Sequence, residues 1–190
     1  MTLDENLVIK PGIGECPISW PHRVLMIDRS LGVAVLGALP GIPGRKGKSS
    51  THVGGPRKFA LEELEDALAR DAVVTTRYEA PGHWSMTDEE YLDGAPTEKE
   101  RERRKVRLKD RDTSWDLIGP IVGNLSVREI ASNPTRLRSK ILKQAQEHGV
   151  NPTTVYRSLH IYLASGGVQS SLIPNTHLRG APGREKTQTT

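Results

Sequence analysis

A chain of 190 residues with 35% apolar and only 4% aromatic side chains has room for one domain or two small ones with thin cores, and leaves much of its length for linker or exposed surface. The net charge of +4 conceals a split: residues 60–98 hold 2 basic and 11 acidic side chains, whereas residues 99–190 hold 17 basic and 8 acidic, a balance that suits a polyanionic partner for the C-terminal half. Cys16 is the only cysteine, which excludes an intrachain disulfide and a cysteine-based zinc site, and with no signal-peptide pattern and no apolar run near the ~20 residues of a membrane span the expected setting is cytoplasmic, with no membrane partner.

In chain order, residues 1–19, with Pro11, Gly12, Gly14 and Pro17, predict an irregular N-terminal arm. From Arg23, "RVLMIDRSLGVAVLGAL" holds two short runs rich in Val, Leu and Ile, parted by Asp28-Arg29-Ser30, the pattern of a β-hairpin. Residues 40–56, "PGIPGRKGKSSTHVGGP", are too rich in breakers for regular structure. In "FALEELEDALARD" the apolar Leu61, Leu64 and Leu68 recur at i, i+3 and i+7 and leave Glu62, Glu63, Glu65 and Asp66 to solvent, which predicts an amphipathic helix. "AVVTTRYEA", residues 72–80, predicts a third strand, and Thr87 with Glu90 has the spacing of a capping box opening a short helix over "DEEYLDG". Residues 20–96 are therefore expected to form a small α/β module.

Residues 97–112, "TEKERERRKVRLKDRD", are charged almost throughout and predict a linker, helical or flexible. Helical periodicity then occupies residues 113–167. Trp115, Ile118 and Val122 mark one helix, weakened in its last turn by Pro120, and "SVREIAS" makes at most a short one. Asn133-Pro134 reads as the cap and first-turn proline of a longer helix with the stripe Leu137, Ile141 and Ala145, ending at Gly149. Asn151-Pro152 opens the next, with Val155, Leu159 and Tyr162 as its apolar stripe. Residues 168–190 predict an extended basic tail without a core pattern. The fold class is α+β: a hairpin, helix and strand module followed by an all-α unit.

The helices flanking Gly149 have the economy of a helix-turn-helix: small Ala145 where two helices cross, Gly149 for a left-handed turn, Val150 plugging the corner, and Val155 with Leu159 anchoring the second helix. At about 100° per residue, Thr153, Arg157 and His160 lie opposite that anchor, flanked by Thr154 and Tyr156. Presented to a major groove, Arg157 offers a bidentate contact to guanine and the threonines reach phosphates or a thymine methyl. Arg136, Arg138, Lys140 and Lys143 on the preceding helix would follow the DNA backbone. The plain alternative is a helical hairpin with a wet polar face; the agreement of turn glycine, caps and basic helix favours DNA.

Other signals carry less. "GIPGRKGKS" fails as a phosphate-binding loop, because Gly41 and Gly47 enclose five residues where that motif needs four. Asp28, after "VLMI", resembles the first metal-binding aspartate of a ribonuclease-H-like strand, but the later carboxylates sit on exposed-looking helices, so a turn-opening role is expected. The six histidines show no metal-ligand spacing, and no catalytic set and no cofactor are expected.

Together, "RVLMID…VAVLGAL", "LEELEDALA", "EKERERRKVRLKDRDTSWDLIGPIV", "AQEHGVNPTTVYRSLHIYLASGG" and "SLIPN…RGAPGREK" resemble, over most of residues 20–190, the N-terminal region of TnsB-type transposases, relatives of the phage Mu transposase. The resemblance implies recognition of repeated motifs in the double-stranded ends of a mobile element, alongside further transposase copies and other transposition proteins. It carries Thr153, Thr154, Tyr156 and Arg157 onto the start of the recognition helix, and Arg179, Arg184 and Lys186 onto a basic tail that follows a groove or the backbone. It also implies that a metal-dependent integrase-like core, with its magnesium, would lie beyond Thr190, so no enzymatic role is expected of these residues. Two other readings stay open: a transcription regulator whose α/β module dimerises or takes a ligand, and an interaction protein whose acidic residues 60–98 dock a basic partner.

Overall fold

The computed structural model describes residues 3–39, 55–76 and 80–174. It is α+β, as the pattern predicts. Five strands form one antiparallel sheet: β1 (Val8–Pro11), β2 (His22–Asp28), β3 (Val33–Ala38), β4 (Arg57–Ala60) and β5 (Val73–Thr76), in the order β4-β3-β2-β1-β5. Helix α1 (Leu61–Ala69) covers one face, where Leu61, Leu64 and Leu68 meet Ile9, Val24, Leu36 and Val73. The hairpin turn forms as expected, with Gly32 at φ +62°. Asp28 opens it: its Oδ1 accepts from the Ser30 hydroxyl (2.6 Å) and the Leu31 amide (3.2 Å).

The first residues depart from the expected irregular arm. Val8 and Ile9 form a strand between β2 and β5, and Leu3, Ile9 and Ile18 are buried in the α1-side core. The apolar run Leu7-Val8-Ile9 is too short for periodicity to register, and the surrounding prolines and glycines bend the chain at its ends rather than preventing pairing. β4, within the segment read as helix and loop, is likewise set by pairing with β3 rather than by local pattern.

Five further helices follow: α2 (Asp88–Asp93), α3 (Glu98–Val122), α4 (Val127–Ser132), α5 (Pro134–Glu147) and α6 (Pro152–Ala164). The capping box of Thr87 and Glu90 is present in both directions, and Ser126 with Glu129 repeats it on α4. The boundary expected between a charged linker and the helical unit, at residues 112 and 113, falls inside α3. Two effects make the charged stretch helical. Glu100 reaches Arg103, Arg104 and Arg107 at helical spacings, and Leu108 and Arg111 are buried. Arg111 donates to Asp88 on α2 (2.9 Å from Nη2) and pairs with Asp112 (2.6 Å); the Asp88 contact, ahead of Asp112, raises its pKa. α2, assigned by pattern to the strand module, thus docks on α3, and Tyr91, Leu108 and Ile173 form a small cluster there. Pro120 lies in the last turn without ending the helix before Val122.

The main helical core joins α3 to α6 through Leu117, Ile118, Ile121, Leu137, Ile141, Ala145, Val155 and Leu159. The predicted stripes of α5 and α6 are all in it except Tyr162, which is half-buried and packed against it with its ring 5.6 Å from that of Trp115. The segment after Gly167, expected to lack a core pattern, instead makes a 3₁₀ turn (Gln169–Leu172) that buries Leu172 and Ile173. Two apolar residues in a row are enough to seal the bundle end yet too few to show a period.

Sheet and helices share contacts. The β2–β3 register shifts between Val24 and Met26, leaving Leu25 as a bulge that packs into the helical core. Gly37 makes the room, since a Cβ there would stand 3.1 Å from Leu25 Cδ1. Val8, Leu39 and Ala164 form a further buried cluster between sheet and α6, and Arg128 on α4 donates to Asp28 (2.9 Å). No described helix is long and apolar enough to cross a membrane.

Candidate nucleic-acid interface

α5 and α6 are joined by residues 148–151. Gly149 takes φ +62°; its amide donates to the Gln146 carbonyl (3.3 Å) and the Val150 amide to the Ala145 carbonyl (2.9 Å), a Schellman closure with Val150 folded back on the core. Asn133 caps α5 by accepting from the Arg136 amide (3.0 Å), and Asn151 caps α6 by accepting from the Thr153 amide (2.8 Å). Proline at the first position of each helix removes one amide that would otherwise need a partner. With the Thr153 and Thr154 amides both occupied by Asn151, contacts from this end of α6 fall to side chains.

Burial divides α6 into two parts. Its second half is enclosed on two sides, by the helical core through Leu159 and Leu163 and by the sheet through Ala164. Of its residues only Thr153, Thr154 and Arg157 are exposed. Tyr156 is half-buried. His160, expected on the open face with Arg157, is also half-buried: a Cβ on Gly55 would stand 3.0 Å from its Cε1, and its ring lies 5.7 Å from that of Tyr156. The helical wheel places His160 correctly with respect to the helical core, but knows nothing of the chain at Gly55 on the other side.

On α5 the cations differ in their engagements. Arg136 pairs with Glu129 (2.8 Å) and Lys143 with Glu147 (3.7 Å), all four at exposed or half-buried positions where such pairs add little. Arg138, exposed, and Lys140, half-buried, make no ion pair with any described residue, and neither does Arg157. Arg128, although largely exposed, is committed to Asp28, whose carboxyl is held below its ordinary value by the Ser30 hydroxyl first, then the Leu31 amide, with Arg128 adding to both. Arg179, Arg184 and Lys186 lie outside the described residues.

The structure thus brings Thr153, Thr154 and Arg157 together on one open end of α6, sets Arg138 and Lys140 on the helix packed against it, and draws His160 away. Among the described residues there is no group of three or more His, Cys, Asp or Glu side chains arranged to hold a metal. The pattern gave no signal for the approach of Gly55 to α6, because Gly55 and His160 are far apart in sequence and meet only through the tertiary fold. No protein-family model matches the chain, and no curated protein matches it.

Proposed function

We propose that this chain binds double-stranded DNA in a sequence-specific manner, at the ends of a mobile element, as the DNA-binding part of a TnsB-type transposase. The turn about Gly149 then serves as that of a helix-turn-helix, α6 as the recognition helix and α5 as the backbone-tracking helix. The observation that carries the reading is the division of α6: its C-terminal half is fixed between two cores, while Thr153, Thr154 and Arg157, the last in no ion pair with a described residue, stand open at its N-terminal end, the end that enters a major groove in this architecture. The resemblance in sequence supplies the mobile-element setting, and the further transposase copies and transposition proteins expected as partners come with it.

A mobility-shift titration of the element's own ends against scrambled duplex tests the reading. Arg157→Ala is expected to reduce discrimination between the two, by roughly tenfold or more if a bidentate guanine contact worth about 1–3 kcal/mol is lost. Lys140→Ala should weaken both duplexes alike and lower the salt slope by about one. Equal wild-type affinity for both duplexes would sink the sequence-specific form.

A further inference from the structure

Part of the split of charge along the chain becomes a split across the sheet. α1, with Glu62, Glu63, Glu65 and Asp66, covers one face; α6 lies on the other. Side chains alternate between faces along a strand. On β4, Phe59 packs into the α1-side core, so Arg57 shares its face, while Lys58, opposite Val35 in the register, points to the α6 side. Arg57 and Lys58 are neighbours, both exposed, and neither makes an ion pair with a described residue. The chain enters β4 directly beside α6, through the contact of Gly55 with His160. Three extended residues carry it from there to Lys58, a span of at most about 11 Å.

Resting on the reading of α6 as the groove-entering helix, we propose that the α6-side edge of the sheet belongs to the same DNA-facing surface, with Lys58 holding a backbone phosphate beside that groove. Lysine suits the task, as a compact charge that needs no fixed geometry at the phosphate. The sheet in turn acts as a spacer that keeps the carboxylates of α1 on the side away from the duplex, where they repel it least. The α1 part of the acidic block and DNA binding by the whole chain are thereby compatible.

The test uses the full chain, a duplex selected by it from a random pool, and a scrambled duplex, with affinity followed over a range of salt. Lys58→Gln is expected to lower the slope of log affinity against log salt by about one on both duplexes and to leave their ratio unchanged. Arg57→Gln removes the same charge at the neighbouring exposed position on the opposite face, and should leave the slope as it is. Equal effects from the two variants would mean that only the general field is felt, and no effect from either would mean that the edge is not in contact; both results overturn the proposal. If Arg157→Ala abolishes discrimination while Lys58→Gln changes nothing, this proposal alone falls; a wild-type chain that does not bind duplex overturns it together with the reading of α6.

Discussion

Asp28 gathers ligands from three places: the hydroxyl of Ser30, the amide of Leu31 and the guanidinium of Arg128, a hundred residues along the chain. All three favour the ionised form, so its folded-state pKa lies below the ordinary 3.8. Asp88, Glu90 and Glu129 are lowered too, chiefly by Arg111, the Thr87 amide and the Ser126 amide respectively. A carboxyl with a depressed folded pKa contributes stability that is fully present above its unfolded value and is lost as pH falls through the folded one. The melting temperature should therefore be level above about pH 5 and fall below about pH 4. Asp28→Asn should melt lower than wild type at pH 7 and show a shallower acid fall, read from thermal denaturation monitored by circular dichroism. An unchanged acid fall would show that this carboxylate's ligands do not favour its charge.

Whole elements differ in how plainly the sequence announces them. α1, α5 and α6 are legible because each carries an apolar stripe at helical spacing, with a capping asparagine opening α5 and α6, and every predicted stripe residue is buried except the half-buried Tyr162. β1 and β4 are not, since three or four residues carry no period and pairing partners decide them. α3 is half legible: its charged portion becomes helix through Glu–Arg spacing and through the burial of Arg111, which composition alone reads as exposed. At the site the same rule holds. Thr153, Thr154 and Arg157 follow from the wheel of one helix, whereas the withdrawal of His160 depends on Gly55, far away in sequence. The turn between α5 and α6 is the element-scale feature most open to test. No atom stands within 4 Å of a Cβ built on Gly149, so alanine there meets only the conformational cost of a left-handed backbone, about 1 kcal/mol. Gly149→Ala should lower the melting temperature by about 3 °C, and Gly149→Asn by less. A drop as large for asparagine as for alanine would show that the left-handed conformation is not the source of the cost.

At the scale of the molecule, the sequence suggests two modules and the structure joins them. Leu25 leaves the sheet at a bulge to pack with the helices, Ala164 leaves the helices to pack with the sheet, and Arg128 ties α4 to the hairpin turn. Sheet and helices should then unfold together, with fluorescence and far-ultraviolet dichroism giving coincident transitions. Leu25→Ala, which removes a side chain shared by both layers, should shift that single transition by roughly 2 kcal/mol; two separated transitions in the wild type would show that the shared contacts are too weak to couple the layers. The enclosure of α6 has a thermodynamic consequence. A helix already held by two cores has given up its conformational freedom before any partner arrives, so association through its open end carries no entropy of folding. The heat-capacity change on binding should accordingly match the area of the contact alone, without the larger signature of a segment that orders as it docks.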